Sequence, residues 1–526
     1  MKVCLMARET DPDGLAHPPE HAADLVVDLR LDTVLDAMSG GDPFLRDVAH
    51  DAVLASLVDR ETIAYRQDIL RDALAMPELV RALYDTAVAA LGAERSVYLS
   101  SFATPVSVLR RSVAVMRLLT EQLHRVRQLS EESVDRVCSA GLTRLLRMLI
   151  DQLDAGFFAQ AEEHLKRLQM PGGVLMSARF GPGLKGQEHV LRRPLVERSG
   201  WRTLLPGGPS RGLSFTIPDQ DEAGARALGE LRDRGVNEVA NALAQSVEHV
   251  VGFFRSLRAE LGFAIGCMNL VDRLSELQLP YCFPELLDDP AAWSCRGLYD
   301  PCLALETARP VTGSSVEADG RRLVMVTGAN QGGKSTFLRS VGVAALMMHS
   351  GLPVAAHRLA AGVATGVFTH FPREEDRSMT RGKLDEELDR MSRIVSRITP
   401  GGLLLGNESL ASTNEREGSQ IAEAIVRALV DSGVRVFFVT HLYELSHGLA
   451  ARGREDTLFL RAEHLSDGTR TFRMVEGTPL PTSHGTEVYG RVFGIGTLGC
   501  QLPAASCRRR NALVVGRAGR PGRPVR

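Results

Sequence analysis

The residues best suited to chemistry in this 526-residue chain form one glycine-rich run. Glycines at this spacing let the backbone curl, so that its N–H groups point at the β- and γ-phosphates of a nucleotide, and a following helix adds its positive end. Lys334 would bring a mobile cation to the same oxygens, and the Ser335 hydroxyl would face Mg²⁺. The run reads Gly328-Ala329-Asn330-Gln331-Gly332-Gly333-Lys334-Ser335-Thr336.

This run matches G-x-x-x-x-G-K-[ST] in full and lies between the apolar segment RLVMV and the amphipathic segment TFLRSVGVAALMM. A strand before the loop and a helix after it are the context that the motif requires. The sequence therefore predicts a phosphate-binding loop at residues 328–336 that binds ATP together with Mg²⁺.

A second candidate lies where the apolar run from Leu403 ends in Asn407 and Glu408. P-loop enzymes place an aspartate there for magnesium, and many follow it with a glutamate that polarises the attacking water. Asn407 can hydrogen-bond a magnesium-bound water but brings no negative charge, which predicts weaker Mg²⁺ retention and slow turnover. Ser335, Asn407 and Glu408 are the predicted metal-site residues. The alternative for Glu408 is a solvated carboxylate at the end of a strand.

A third apolar run, beginning at Val434, ends in Thr440 and His441. A histidine at that position could sense the γ-phosphate or stabilise the charge that develops during hydrolysis. A satisfied polar residue with no catalytic role is the open alternative. Lys334, Glu408 and His441 are the predicted catalytic residues.

The elements that must position these residues change character along the chain. Thr104-Pro105 predicts a helix start, and the apolar positions from Val236 to Val271 alternate steps of three and four, so one long helix should pack along another. Simple core packing and a coiled-coil lever both fit that seam. The predicted segments are an extended segment 1–30, a helical core and lever domain 31–170, a small β-rich clamp-like insertion 171–218, a returning lever helix 219–280, a linker 281–302, an α/β nucleotide domain 303–495 and a disordered Arg-rich tail 496–526.

Composition narrows the class of protein. A formal charge of -2 excludes a global basic field, so any nucleic-acid contact must come from local patches or from an oligomer. The eight cysteines include no C-x-x-C pair, which disfavours a zinc site or a disulfide scaffold. We see no apolar signal core and no run of about 18 apolar residues, so the expectation is a cytoplasmic protein without a membrane partner.

Three segments together resemble the MutS family. TGANQGGKSTFLRSVGVAALMMHSGLPVAA is similar to that family's phosphate loop, NESLASTNEREGSQIAEAIV to its Walker B strand and D-loop, and VFFVTHLYEL to its Thr-His switch. The resemblance covers about 298–494 and continues, more weakly, through the upstream core, clamp and lever. It implies an ABC-type P-loop NTPase fold, α/β in class, preceded by an all-α core and lever domain with the clamp-like insertion.

The resemblance also implies a homodimer in which ATP lies between two subunits. One subunit would provide Lys334, Ser335, Glu408 and His441. The partner would provide the loop from Thr380 to Glu387, with residues 412–414 at the subunit contact. Gly382 stands where the family's trans-acting signature serine is expected.

The mismatch-binding and connector domains of the family are expected to be absent, and the Phe283-Pro-Glu285 run lies in the linker. The expected function is a DNA-binding ATPase of DNA repair or recombination without classical mismatch reading. The alternative is a nucleotide-gated dimeric scaffold with little or no hydrolysis. A transporter or SMC type is disfavoured, since there is no Leu-Ser-Gly-Gly signature. Candidate DNA-contacting cations, which could equally be solvated surface charges, are Lys185, Arg192, Arg193, Arg198, Arg202 and the tail arginines.

Overall fold

The structure is a computed structural model, and it describes most of the chain. Asn330, Thr380, Arg381, three of the candidate DNA-contacting arginines (Arg193, Arg198 and Arg202) and the predicted tail lie outside the described residues. The described residues are 1–8, 18–97, 104–170, 173–192, 215–329, 331–373, 382–465 and 469–480.

The first part of the described chain is helical, as the apolar periodicity predicts. Side-chain caps set several of the helix starts: Asp59 accepts from the N–H groups of Glu61 and Thr62, and Thr104 accepts from Ser107 N ahead of a proline at the first turn. The helices are α1 (Ala22–Leu29), α2 (Asp32–Ser39), α3 (Pro43–Leu54), α4 (Arg60–Ala75), α5 (Pro77–Ser96), α6 (Pro105–Ser133), α7 (Ala140–Gln152) and α8 (Ala155–Leu168).

One helix of 55 residues, α9 (Glu222–Glu276), returns along this helical part. Its apolar seam packs against α6 towards its start and against α2, α3 and α5 towards its end. Phe254, Leu257 and Leu261 are buried in the main core, whereas Val236 and Ala240 form a separate small core with Leu109 of α6. Burial along most of its length explains why the helix can persist so far beyond the usual three to four turns.

Between α8 and α9 the described residues form an antiparallel hairpin of β1 (Leu175–Phe180) and β2 (Gly186–Arg192). Its residues are largely exposed, and Phe180 is 82% accessible to solvent. A Cβ on Gly235 of α9 would lie 1.8 Å from the Met176 sulfur, so the hairpin sits directly on the long helix at a glycine.

The α/β part is built on a mainly parallel sheet. Among the described residues its strand order is β12-β11-β6-β10-β9-β8, with only β12 antiparallel to its neighbour. Strands β6, β8, β9 and β10 are buried at nearly every position, as expected when helices cover both faces, whereas β11 is buried at alternate positions and most of β12 is not buried. The strands are β6 (Leu323–Thr327), β8 (Val367–His370), β9 (Leu403–Asn407), β10 (Arg435–Val439), β11 (Thr457–His464) and β12 (Arg470–Glu476).

Helices α10 (Pro301–Thr307), α11 (Lys334–Ser350), α12 (Lys383–Val395), α13 (Glu415–Asp431) and α14 (Tyr443–Ala451) complete this part of the described chain. Helix α11 lies between the sheet and the helical region. A Cβ on its Gly342 would come within 2.6 Å of Leu29 on α1 and of Leu405 on β9. The helix that follows the phosphate loop therefore contacts both halves of the molecule.

The structure differs from the predicted linker at 281–302. This stretch contributes to a second sheet in the order β3-β7-β4-β5, and Trp293 meets Phe437 of the main sheet edge-on at 5.1 Å. Strands of three to six residues drawn from distant segments carry too little periodicity to be recognised singly. They are β3 (Glu285–Leu287), β4 (Trp293–Leu298), β5 (Ser314–Glu317) and β7 (Arg358–Gly362).

The predicted extended segment at 1–30 is also wrong in part, because α1 is helical and packs against β8. Val3, Leu5 and Met6 are buried in the main core. The Glu260 carboxylate of α9 accepts hydrogen bonds from the N–H groups of Leu5 and Met6. The sequence does not indicate this burial, because the apolar residues are few and acidic and proline-containing sequence follows them. Their partners lie far away along the chain.

The buried Arg66 of α4 joins this first segment to the phosphate-loop helix. Its Nε donates to the Met6 carbonyl at 2.7 Å, and its second arm faces the Ser350 carbonyl at 3.5 Å, at the end of α11. We call residues 3–6 the N-terminal strap. None of the helices in the described ranges is both long and apolar enough to cross a membrane.

Candidate functional site

The glycine-rich loop lies between β6, a central strand of the main sheet, and α11. Gly328, Gln331 and Gly333 adopt positive φ angles of 117°, 60° and 91°, which curl the backbone. A Cβ on Gly332 would lie 2.7 Å from the Ala462 Cβ, because β11 packs directly against the loop. Glycine at 328 and 333 therefore serves the curl, and glycine at 332 permits the close approach of β11.

Lys334 begins α11, and its side chain folds back into the loop. Its Nζ donates to the carbonyl oxygens of Gly328 at 2.8 Å and Ala329 at 3.2 Å. Burial lowers the pKa of the Lys334 ammonium, and the negative charge of Glu408 opposes that shift. A buried cation held by backbone carbonyls is well placed to meet phosphate oxygens inside the curl.

The Ser335 hydroxyl donates to the Asn407 side-chain oxygen at 2.9 Å. Ser335 lies in the first turn of α11 and Asn407 at the carboxyl end of β9, so two separate motifs of the sequence meet here. A hydroxyl, an amide oxygen and nearby Glu408 are oxygen ligands of the kind that Mg²⁺ takes alongside water and phosphate. The residues therefore fit Mg²⁺, although no group of three His, Cys, Asp or Glu that could hold a metal occurs in the described part of the chain.

Glu408 and His441 face each other across the ends of β9 and β10. The His441 Nδ1 lies 3.9 Å from the Glu408 carboxylate, and about a third of the Glu408 side chain is accessible, at 34%. Glu408 N donates to the Val439 carbonyl at 2.8 Å, which ties the start of the turn to the neighbouring strand. The structure thus brings Lys334, Ser335, Asn407, Glu408 and His441 to one edge of the sheet.

The stretch that the resemblance assigns to the partner subunit, residues 380–387, is described from Gly382 onwards. Gly382 stands at the N-cap of α12, where no side chain caps the helix. Glu387 is buried in its own subunit and accepts hydrogen bonds from Leu410 N and the Ser412 hydroxyl. The Glu387 carboxylate is therefore used in contacts within the chain.

Two residues near the loop were missed by sequence reasoning. Arg470 donates to the Gln331 side-chain oxygen at 3.0 Å. Phe472 is half-exposed at 51%, and its carbonyl oxygen lies 3.3 Å from where a Cβ on Gly333 would stand. Their only sequence signal is a short polar strand, and their proximity to the loop depends on the β11–β12 pairing.

A curled glycine-rich loop between a central parallel strand and a helix, facing the polar ends of neighbouring strands, defines a P-loop nucleotide-binding domain. The MutS2 N-terminal domain family matches residues 58–277, and the MutS domain V family matches residues 324–494. These matches agree with the resemblance inferred from the motifs, and the chain belongs to the MutS family.

Individual relatives give the same result. The chain is 29% identical over 409 residues to "Endonuclease MutS2" of Anaeromyxobacter sp. (strain Fw109-5), a match that covers 74% of this chain and 47% of that protein. It is 27% identical over 275 residues to "DNA mismatch repair protein MutS" of Granulibacter bethesdensis (strain ATCC BAA-1260 / CGDNIH1), covering 49% of this chain and 29% of that protein. The chain thus spans less than half the length of either relative.

Proposed function

We propose that this chain is a MutS-like ATPase that binds ATP with Mg²⁺ at the 328–336 loop, hydrolyses it slowly and acts on DNA in repair or recombination. The observation that carries the proposal is the meeting of Lys334, the Ser335–Asn407 pair and Glu408 at one sheet edge. The names of the two relatives support the DNA-related part.

Each residue has a distinct part in binding. Backbone N–H groups of the loop and of the first turn of α11 would donate to the phosphate oxygens, and Lys334 would exchange its carbonyl partners for them. Ser335 and Asn407 would hold Mg²⁺ and its waters, which lower the charge on the phosphates. The exposed ring of Phe472 beside Gly333 offers a face on which the adenine base could stack.

Hydrolysis requires a water held in line with the terminal phosphate. Glu408 is the candidate that orients this water by accepting its hydrogen bond. Lys334 and the loop N–H groups would stabilise the charge on the transferred group. His441, whose Nδ1 lies 3.9 Å from the Glu408 carboxylate, would sense the γ-phosphate through that carboxylate. Because Asn407 adds no charge, the pocket would hold Mg²⁺ with one fewer negative ligand than a P-loop site with an aspartate at this position. This difference supports slow turnover.

The dimer and the DNA contact are parts of the same proposal. The partner's contribution to a composite site would come from the N-terminal end of α12 around Gly382, whose first N–H groups have no side-chain cap. DNA would be held through its phosphates by the hairpin on α9, where Lys185 and Arg192 are exposed. Asn407 also supports the second candidate, a nucleotide-gated scaffold with little hydrolysis.

The test compares wild type, Lys334→Ala and Lys166→Ala, in which Lys166 is an exposed lysine on α8. Binding of a fluorescent ATP analogue and steady-state phosphate release are measured with duplex, branched and mismatched DNA at fixed salt. We expect Lys334→Ala alone to lose binding and one DNA form to stimulate release. Equal binding by Lys334→Ala would refute the nucleotide site. Tight binding without phosphate release would favour the scaffold.

A further inference from the structure

The turn that follows the candidate catalytic glutamate has an unusual backbone. Glu408 and Leu410 have φ angles of 47° and 64°, in the left-handed region that residues with side chains rarely adopt. Ser409 and Leu410 are buried. A strained conformation persists only where surrounding groups hold it, so the contacts of this turn decide where the Glu408 carboxylate points.

One of these contacts is a buried histidine. His370, at the end of β8, has its Nδ1 2.7 Å from the Ser409 hydroxyl and its Nε2 3.0 Å from the Glu387 carbonyl oxygen. Burial, aided by the charge of Arg390, lowers the pKa of His370 to about 4, so the ring is neutral at pH 7. Because the Glu387 carbonyl can only accept, a neutral ring donates through Nε2–H and leaves Nδ1 as an acceptor for the Ser409 hydroxyl. That hydroxyl also lies 2.8 Å from the His370 carbonyl oxygen, so its one proton is shared between two acceptors of the same residue.

The other contact is the Glu387 carboxylate. One oxygen accepts from Leu410 N at 2.9 Å, and the other accepts from the Ser412 hydroxyl at 2.6 Å. A single buried carboxylate thus spans the turn from residue 410 to residue 412. The backbone carbonyl of Glu387 is in turn hydrogen-bonded to His370. Helix α12, the end of β8 and the turn therefore form one hydrogen-bonded unit.

We infer that Glu387 and His370 are positioning residues that hold the 408–412 turn, and so aim Glu408 at the phosphate loop. The inference rests on the proposed function for its catalytic consequence. The same contacts connect the first turns of α12 to Glu408, the proposed catalytic residue. A change at Gly382, the N-cap of α12 five residues before Glu387, would then reach Glu408 without touching it.

The test uses Glu387→Gln, Ser412→Ala and the matched control Glu455→Gln, which changes an exposed glutamate before β11. Three quantities are measured on the full chain: kcat for ATP, affinity for a fluorescent ATP analogue, and hydrogen exchange of the Leu410 amide. In Glu387→Gln we expect kcat to fall at least about tenfold, affinity to change less than about twofold, and Leu410 exchange to rise about tenfold. Ser412→Ala should show a smaller effect of the same kind.

The outcomes separate the two claims. If Glu387→Gln matches Glu455→Gln in kcat and in Leu410 exchange while wild type hydrolyses ATP, the positioning role is wrong and the ATPase proposal stands. If wild type releases no phosphate, the proposed hydrolysis fails, and Leu410 exchange alone then decides whether Glu387 holds the turn. Loss of affinity in parallel with kcat in both Glu387→Gln and Ser412→Ala would overturn the inference, because it would indicate general disruption of the site.

Discussion

The hydroxyl of Ser335 and the side-chain oxygen of Asn407 are joined by a 2.9 Å hydrogen bond between the first turn of α11 and the end of β9. Two residues that are 72 positions apart in the chain are therefore in direct contact. An aspartate at position 407 would accept the same hydrogen bond and add a negative charge. In the proposed Mg²⁺ site, the pair would therefore supply one negative charge fewer than a serine–aspartate pair.

Asn407→Asp should tighten Mg²⁺ and raise turnover at low Mg²⁺. An added carboxylate beside a divalent ion at an effective dielectric of about 20 favours binding by more than 1 kcal/mol, so the half-saturating Mg²⁺ concentration should fall about tenfold. ATP hydrolysis measured across a Mg²⁺ series checks this. Asn241→Asp, an exposed position on α9, is the control. An unchanged Mg²⁺ requirement would show that residue 407 does not face the metal.

Phe472→Ala should weaken ATP binding by about five- to tenfold, because an aromatic stacking contact is worth roughly 1 kcal/mol. Phe472→Trp should keep or improve affinity, since it retains a stacking face. The matched control is Phe180→Ala, which removes an exposed phenylalanine from the hairpin on α9. Affinity for ATP relative to inorganic triphosphate is the measurement. Equal losses for both ligands would argue against contact with the base.

How much of this site could be predicted depends on the range of the contacts. The phosphate loop follows from glycine spacing and its flanking runs, because that chemistry is local. The returning helix, predicted at 219–280 and observed at Glu222–Glu276, follows from an unbroken seam that ends before Pro280. The places of Phe472 and Glu387 depend on strand pairing and on a turn more than twenty residues away. No local pattern encodes such contacts.

Acid should destabilise the protein through its buried histidines. Burial lowers the pKa of His349 in α11 from 6.5 to about 4. The unfolded chain therefore binds a proton at His349 between about pH 6.5 and pH 4 that the folded protein does not bind, and the free energy of unfolding falls as pH drops through this window.

His349→Gln tests that contribution, since glutamine can still accept the hydrogen bond from Ala364 N without titrating. The slope of unfolding free energy against pH should decrease by up to about 1.4 kcal/mol per pH unit, which corresponds to one proton. Denaturant titrations from pH 4 to pH 7 measure it, with His249→Gln, on the exposed face of α9, as the control. The same slope in all three proteins would mean that His349 is not the proton-linked group.

Glu260→Ala should destabilise the fold by about 2–4 kcal/mol, because it leaves the buried N–H groups of Leu5 and Met6 without their acceptor. Burial raises the pKa of the Glu260 carboxyl, while those two N–H groups and the charge of Arg66 oppose the shift. Chemical denaturation gives the value, and Glu238→Ala on the exposed face of the same helix is the control. A loss below about 0.5 kcal/mol would mean that the N-terminal strap contributes little to stability.

The length of α9 has a mechanical consequence. At 55 residues the helix is roughly 80 Å long. A tilt of about 5° at the end that adjoins the nucleotide domain would displace the far end by about 7 Å. The hairpin, which contacts the helix at Gly235 roughly 60 Å from that end, would move by about 5 Å, close to the rise of one helical turn. The N-terminal strap contacts α9 near this end, and Arg66 connects the strap to the end of α11. A small movement of α11 at this end would therefore become a larger displacement of the hairpin.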